Sequence, residues 1–272
     1  FEKFVGHRDI AFEDINVIML KDYAGYCSTT LGNNNTTINF SLRILNLMFR
    51  NAQKEDLIPR DLFPFNKYKV KKEKPNRRYL NEEQLQALIT LQVSERAQAP
   101  LAKDMFVFSV FAGGLRFSDV IELKWKHFNK KDQRISKKIC KTGNAHSFKI
   151  GTTAIDIIEK YRTKDAKSED TIFPFGEITE RYWNDREYRA VHIARKTALM
   201  SQYLNTMGKA IELPFNLTFH LSRHTFATRA LNKGMRIEHV SKLMDHSDIG
   251  ITQIYAKIIN SELDKAVDKY ID

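Results

Sequence analysis

Between Lys67 and Arg78 the chain reads KYKVKKEKPNRR, seven basic side chains and one acid in a dozen residues. Such a run cannot enter a core, because each unpaired ammonium or guanidinium would lose its hydration without compensation. It therefore cuts the 272 residues into a short first part and a longer second part, each obliged to build its own core. We expect a domain over residues 1–75, a basic linker over about 67–78 and a second domain over 79–272. The strap itself has two readings, a solvated flexible linker or a basic segment lying along phosphates.

The first part has helical periodicity. Ile38, Leu42, Leu45, Met48 and Phe49 recur at three- and four-residue spacing within Thr36 to Lys54, which predicts a helix burying one face. Asn33, Asn34, Asn35 and Thr36 supply its polar start. An earlier helix is predicted from Val17 to Tyr26, and Pro59 and Pro64 mark the exit. In the second part Asn81 to Gln84 forms a capping-box pattern, and a helix is expected over Ala102 to Ala112, stopped by Gly113 and Gly114. A short helix should follow, capped by Ser118 or Asp119. Arg134 to Ile139 and Ala145 to Ile150 read as strands around a turn at Lys141-Thr142-Gly143-Asn144. From Thr152 onward the pattern is helical again. The fold class is mainly α with a small antiparallel β-sheet.

Composition narrows the function. Hydrophobic content of 42% supports packed cores and excludes general disorder. The net charge of +11 favours a polyanionic partner, of which nucleic acid is the commonest. The charge is uneven: Arg116 to Lys149 holds ten Lys and Arg against three acids, a local excess of seven where a groove for DNA is expected. No apolar stretch approaches the roughly 20 residues that span a bilayer, and no signal-peptide pattern opens the chain. Cys27 and Cys140 form no metal-type spacing and read as reduced thiols of a cytoplasmic protein.

Four segments carry candidate chemistry: AGGLRFSD around Arg116, Lys141-Thr142-Gly143, HLSRHTFAT containing His220 and Arg223, and LMDHS containing His246, followed by Tyr255. Singly, each has a plain structural explanation: a helix cap, an exposed turn lysine, a core aromatic. His220 and His224 stand at i, i+4, a spacing that holds zinc in some helices. Leu221 replaces the glutamate that a metalloprotease needs, and Arg223 would set a cation beside the metal, so no metal is assigned.

Together these segments resemble the tyrosine recombinases of the phage integrase type. The family pattern is an Arg after a glycine-rich helix end, a Lys in a β-hairpin, H-x-x-R, a His or Trp, and a Tyr nucleophile. Arg116, Lys141, His220, Arg223, His246 and Tyr255 stand in that order, with His246 nine residues before Tyr255. The resemblance implies a two-domain C-shaped DNA clamp, with a helical SAM-like core-binding domain and a mixed catalytic domain. It implies site-specific DNA cleavage and rejoining through a covalent 3′-phosphotyrosyl intermediate on Tyr255, without cofactor or metal. Lys141 would protonate the departing 5′ oxygen, His246 would donate to the phosphate, and Asp119 would orient Arg116. Lys137, Lys138 and Lys149 flank the same hairpin and remain alternatives to Lys141. Asp245 stands where the family commonly has Gly.

The chemistry is reasonable on elementary grounds. Attack by a phenol on a phosphodiester builds charge on the non-bridging oxygens, and Arg116 and Arg223 offer forked donors to them. A phenol with a pKa near about 10 needs help losing its proton, and His220 is the expected acceptor. The expected partners are double-stranded DNA with specific recombination sites, a homotetramer on synapsed DNA and accessory DNA-bending proteins, in the cytoplasm of a bacterial cell. Lys69, Lys71, Lys72, Lys74, Arg77 and Arg78 would lie near the DNA backbone. The apolar stripe Leu263, Ala266, Val267 and Tyr270 predicts a terminal helix, packed on its own domain or on a neighbouring protomer. A type IB topoisomerase and a catalytically silent DNA-binding protein are the competing readings. The start at Phe1 leaves room for an upstream arm-binding domain.

Overall fold

The computed structural model describes residues 1–68, 78–94, 98–176 and 178–256. The chain forms two compact units, Phe1–Asn76 and Arg77–Asp272. The terminal stripe from Leu263 to Tyr270 lies outside the described residues.

The first unit holds α1 (Glu2–Val5), α2 (Val17–Thr29) and α3 (Asn35–Lys54). Asparagine caps start both longer helices. The Asn16 side chain accepts from the backbone N–H groups of Ile18 and Met19, and that of Asn34 from Thr37. Each such cap is worth about 1 kcal/mol. Leu20, Tyr23 and Cys27 of α2 pack on Ile38, Leu42 and Leu45 of α3. A second cluster forms where Phe12, Phe63 and Phe65 set their rings edge-on around Phe49. Met48, expected on the buried face, is 53% exposed. The core face follows positions 38, 42, 45 and 49, and one residue of offset turns a helical side chain about 100° away.

The second unit begins with α4 (Glu82–Thr90), closed at its start by the predicted capping box between Asn81 and Gln84. At its centre lies α5 (Ala99–Phe111), buried on nearly every side, which explains its lack of a polar face. The helix starts earlier than Ala102 because Pro100 suits the first turn, where no N–H donor is needed. Next come α6 (Phe117–Ile121), the sheet, and α7 (Thr152–Glu159). The C-terminal elements are α8 (Glu180–Asn184), α9 (Arg186–Ala210), α10 (His220–Asn232), α11 (Ile237–Leu243) and α12 (Gly250–Ala256). The stretch between α7 and α8 is not helical. It buries Ile172, Phe173 and Phe175 through an irregular chain that bridges Thr171 to Lys124.

The sheet has three antiparallel strands in the order β1 (Phe128–Asn129), β2 (Arg134–Lys138) and β3 (Ala145–Lys149). The two-residue β1 is too short to leave an alternating signature in sequence. Ile135 pairs with Phe148 and both face inward. Side chains alternate along a strand, so Lys137 also points inward, at 8% exposure. No helix among the described residues is long and apolar enough to cross a membrane.

Candidate active site

The site is organised by a close approach of two backbones. Gly113 and Gly114 both have left-handed φ values, +70° and +67°. A Cβ on Gly114 would stand 3.0 Å from the Phe226 ring and 3.2 Å from the Cα of Arg223. Only glycine both adopts that turn and lets α10 come so near. Beneath the contact the Ser109 and Ser222 hydroxyls lie 2.7 Å apart, and Ser109 donates to the carbonyl of Leu115, tying α5 to α10.

Arg223 is 3% exposed. Its guanidinium donates to the carbonyl of Gly114 and, at 2.7 Å, to that of Met244. The same nitrogen lies 3.3 Å from His246 Nε2. Guanidinium nitrogens only donate, so this contact suits a His246 with a bare Nε2 and its proton on Nδ1. Nδ1 in turn lies 2.8 Å from the hydroxyl of buried Thr252, which completes the chain. Burial first, and then the charge of Arg116, lower the Arg223 pKa to about 10, while Tyr255, Asp119 and Asp245 pull it upward. Arg116 is half-buried at the N-cap of α6, a place assigned in sequence to Ser118 or Asp119.

Asp119 does not take up Arg116 as expected. Its carboxylate is fully buried, and Oδ1 accepts from Lys137 Nζ at 3.2 Å and from the backbone N–H of Cys140 at 2.8 Å. Lys137 also donates to the backbone carbonyl of Asp119. The reason is the strand register, which turns Lys137 inward onto α6. Glu122, one turn on, accepts two parallel bonds from Arg189, one from the Tyr182 hydroxyl and one from the Cys140 thiol. Burial and then the Glu122 carboxylate push the Tyr182 phenol well above its usual range. Cys27 and Cys140 are both free thiols.

Lys141 follows Cys140 into the turn and is exposed. It lines a shallow cleft with Ser118, Arg186 and Arg189. The turn is fastened elsewhere: Asp245 Oδ2 accepts from the Thr142 hydroxyl at 2.6 Å and Oδ1 from the Asn144 amide at 3.0 Å. Asp245 has φ +51°, the left-handed geometry a glycine would adopt at that position. His146 Nε2 lies 3.0 Å from the carbonyl of Leu243.

Tyr255 is 2% exposed, and its hydroxyl lies 2.6 Å from Nδ1 of His224. Sequence reasoning gave the tyrosine's proton to His220. His220 is exposed, with its ring edge-on to His224 at 4.5 Å. Among the described residues no group of three or more His, Cys, Asp or Glu side chains is placed to hold a metal ion. Of the expected DNA contacts, Lys69, Lys71, Lys72, Lys74 and Arg77 lie outside the described residues. The Arg78 guanidinium lies over the Phe215 ring, 5.7 Å from its centroid.

Residues 78–262 match the phage integrase family and residues 1–70 the phage integrase SAM-like domain. The chain belongs to the phage integrase family, the tyrosine recombinases. Among its relatives, tyrosine recombinase XerA of Pyrococcus horikoshii is 27% identical over 169 residues, 62% of this chain and 55% of that protein. Tyrosine recombinase XerC of Pediococcus pentosaceus is 25% identical over 240 residues, 86% of this chain and 75% of that protein. The chain thus spans about half the length of the first relative and three quarters of the second. Among solved structures, the Tn1549 transposon integrase in complex with circular intermediate DNA superposes with a TM-score of 0.65 at 20% identity, covering 90% of this chain and 82% of that one. A lambda integrase tetramer bound to a Holliday junction gives 0.65 at 19% identity, covering 90% and 69%. These structures share the fold.

Proposed function

We propose that this chain cleaves and rejoins DNA at specific recombination sites, with Tyr255 as the nucleophile. The observation that carries the reading is Arg223, buried, donating to two carbonyls and in contact with His246, a guanidinium whose pKa burial and the nearby Arg116 charge pull down. A phosphodiester beside Arg223 and Arg116 supplies an anion, and the guanidiniums then face the oxygens on which charge develops.

In the reaction the Tyr255 oxygen attacks phosphorus and the bond to the 5′ oxygen breaks. The phenolic proton passes to His220, and Lys141 gives a proton to the departing 5′ oxygen. His246 donates to a non-bridging oxygen, which requires its Nε2 to be protonated in the DNA complex. In the reverse step a 5′ hydroxyl attacks the phosphotyrosine and releases Tyr255, so the energy of the broken bond is retained. His224 holds the Tyr255 hydroxyl in the buried position, and attack requires the ring to turn out of that contact. The basic residues from Lys69 to Arg78 lie along the DNA backbone in this reading. The assembly is four protomers on two duplexes, as the lambda integrase tetramer on a Holliday junction suggests by its fold.

The test is a nicked suicide duplex that traps the covalent product. Wild-type protein should give a protein–DNA adduct, Arg223→Ala should lower its rate by about 10²–10³, and Tyr255→Phe should give none. An adduct formed by Tyr255→Phe ends the assignment. Recombination between two sites, measured beside supercoil relaxation, separates strand exchange from topoisomerase action.

A further inference from the structure

The segment from Leu243 to His246 is held from two sides. On one side Met244 and His246 hold the Arg223 guanidinium. On the other, Leu243 and Asp245 hold the hairpin, through His146, Thr142 and Asn144. The Asp245 carboxylate grips the turn itself, using both oxygens, one for each residue flanking Gly143. Its partners lie 103 and 101 residues earlier in the chain. Thr142 further caps the turn by accepting from the Asn144 N–H at 3.3 Å.

The backbone makes this arrangement informative. At φ +51° a glycine is free of strain, whereas an aspartate bears a modest cost. A side chain kept there needs an interaction to offset it, and two charge-assisted hydrogen bonds supply one. Burial raises the Asp245 pKa, but the Thr142 and Asn144 bonds and the charges of His146 and Arg116 outweigh it, so the carboxyl sits below its ordinary range.

We propose that Asp245 is a positioning residue that latches the Lys141 turn onto the Arg223–His246 strap, so that the lysine and the phosphate-binding groups are set by one shared segment. The inference rests on the reading of Lys141 as the proton donor. Binding of DNA at Arg223 and His246 is then felt by the turn directly, because Asp245 lies between Met244 and His246. Lys141 itself stays exposed and adjustable, as a donor that must reach a leaving oxygen requires.

The experiment has two arms on the full chain. In the first, amide hydrogen exchange of residues 141–145 is followed in wild type, Asp245→Ala, Asp245→Gly and Thr142→Val. Each variant should speed exchange in the turn by about tenfold, and leave β2 unchanged. Asp245→Gly removes the side chain while suiting the backbone, so it separates the latch from local strain. In the second arm, suicide cleavage is measured with oxygen or sulfur at the 5′ bridging position; a thiolate leaves without a proton. Asp245→Gly and Lys141→Ala should both be slow on oxygen and both recover on sulfur. Unchanged exchange in Asp245→Ala and Asp245→Gly overturns the latch. Recovery by Lys141→Ala but not by Asp245→Gly overturns its link to Lys141. If Lys141→Ala does not recover, the proton-donor reading falls and with it the link to catalysis, while accelerated exchange still supports the latch as structure.

Discussion

The β2–β3 hairpin is held in opposite ways on its buried face and at its exposed turn. On the buried face, Lys137, Asp119, Cys140, Glu122, Tyr182 and Arg189 form a polar network in which ion pairs and hydrogen bonds converge on two carboxylates. At its tip, four exposed residues are tied to the rest of the unit through Asp245, Thr142 and Asn144. Buried pairs are costly to break, because the abandoned charge has no water, whereas exposed hydrogen bonds exchange with solvent at little net cost. A hairpin built this way keeps its register while its tip remains free to adjust.

That contrast gives a graded set of predictions. Lys137→Ala strands the fully buried Asp119 carboxylate and should cost about 3–5 kcal/mol, read as a lower denaturation midpoint. A loss below about 1 kcal/mol would show that water enters the buried face and that it resembles the exposed turn. Gly114→Ala should come next, at roughly 1–3 kcal/mol, since it imposes left-handed strain and crowds Arg223 and Phe226. Its adduct formation should fall further than its stability, because the displaced group is Arg223. Asp245→Gly should change global stability by less than about 1 kcal/mol while loosening the tip; a loss as large as that of Lys137→Ala would erase the distinction.

The smallest effect is a pH dependence. Asp245 has its folded pKa lowered, so its contribution is fully present above the ordinary carboxylate value and is lost as pH falls through the folded one. Turn protection, corrected for intrinsic exchange, should therefore be flat from neutral pH to the ordinary carboxylate range and drop only below it. In Thr142→Val the drop should shrink. A loss of protection already near pH 6 would show that the Asp245 carboxylate is not what holds the turn.

Much of this was legible in sequence, and the reasons are local. The Asn34 and Asn81 caps, the Gly113-Gly114 stop and the two strands around Lys141 follow from rules acting within a few residues. The order of Arg116, Lys141, His220, Arg223, His246 and Tyr255 is likewise a property of the chain. Contacts beyond the reach of a helix turn or a hairpin were not legible. The resemblance assigned Asp119 to Arg116, yet docking of β2 on α6 delivers Lys137 from 18 residues away. The partner of His224 was not legible either: the return of α12 brings the Tyr255 hydroxyl onto it from 31 residues later.

The basic run from Lys67 to Arg78 and the two helical patterns beside it were enough to require two separately packed units, since hydration of charge and burial of apolar faces are decided by residue type. Which acid meets which base is another matter. Asp119, Glu122 and Asp245 are chemically alike in sequence, and each meets a different partner because α6, α9, the hairpin and the Leu243–His246 strap converge only when the core around α5 has packed. Residue type set the chemistry available to this chain, and the long-range packing of its core decided where each charge is held.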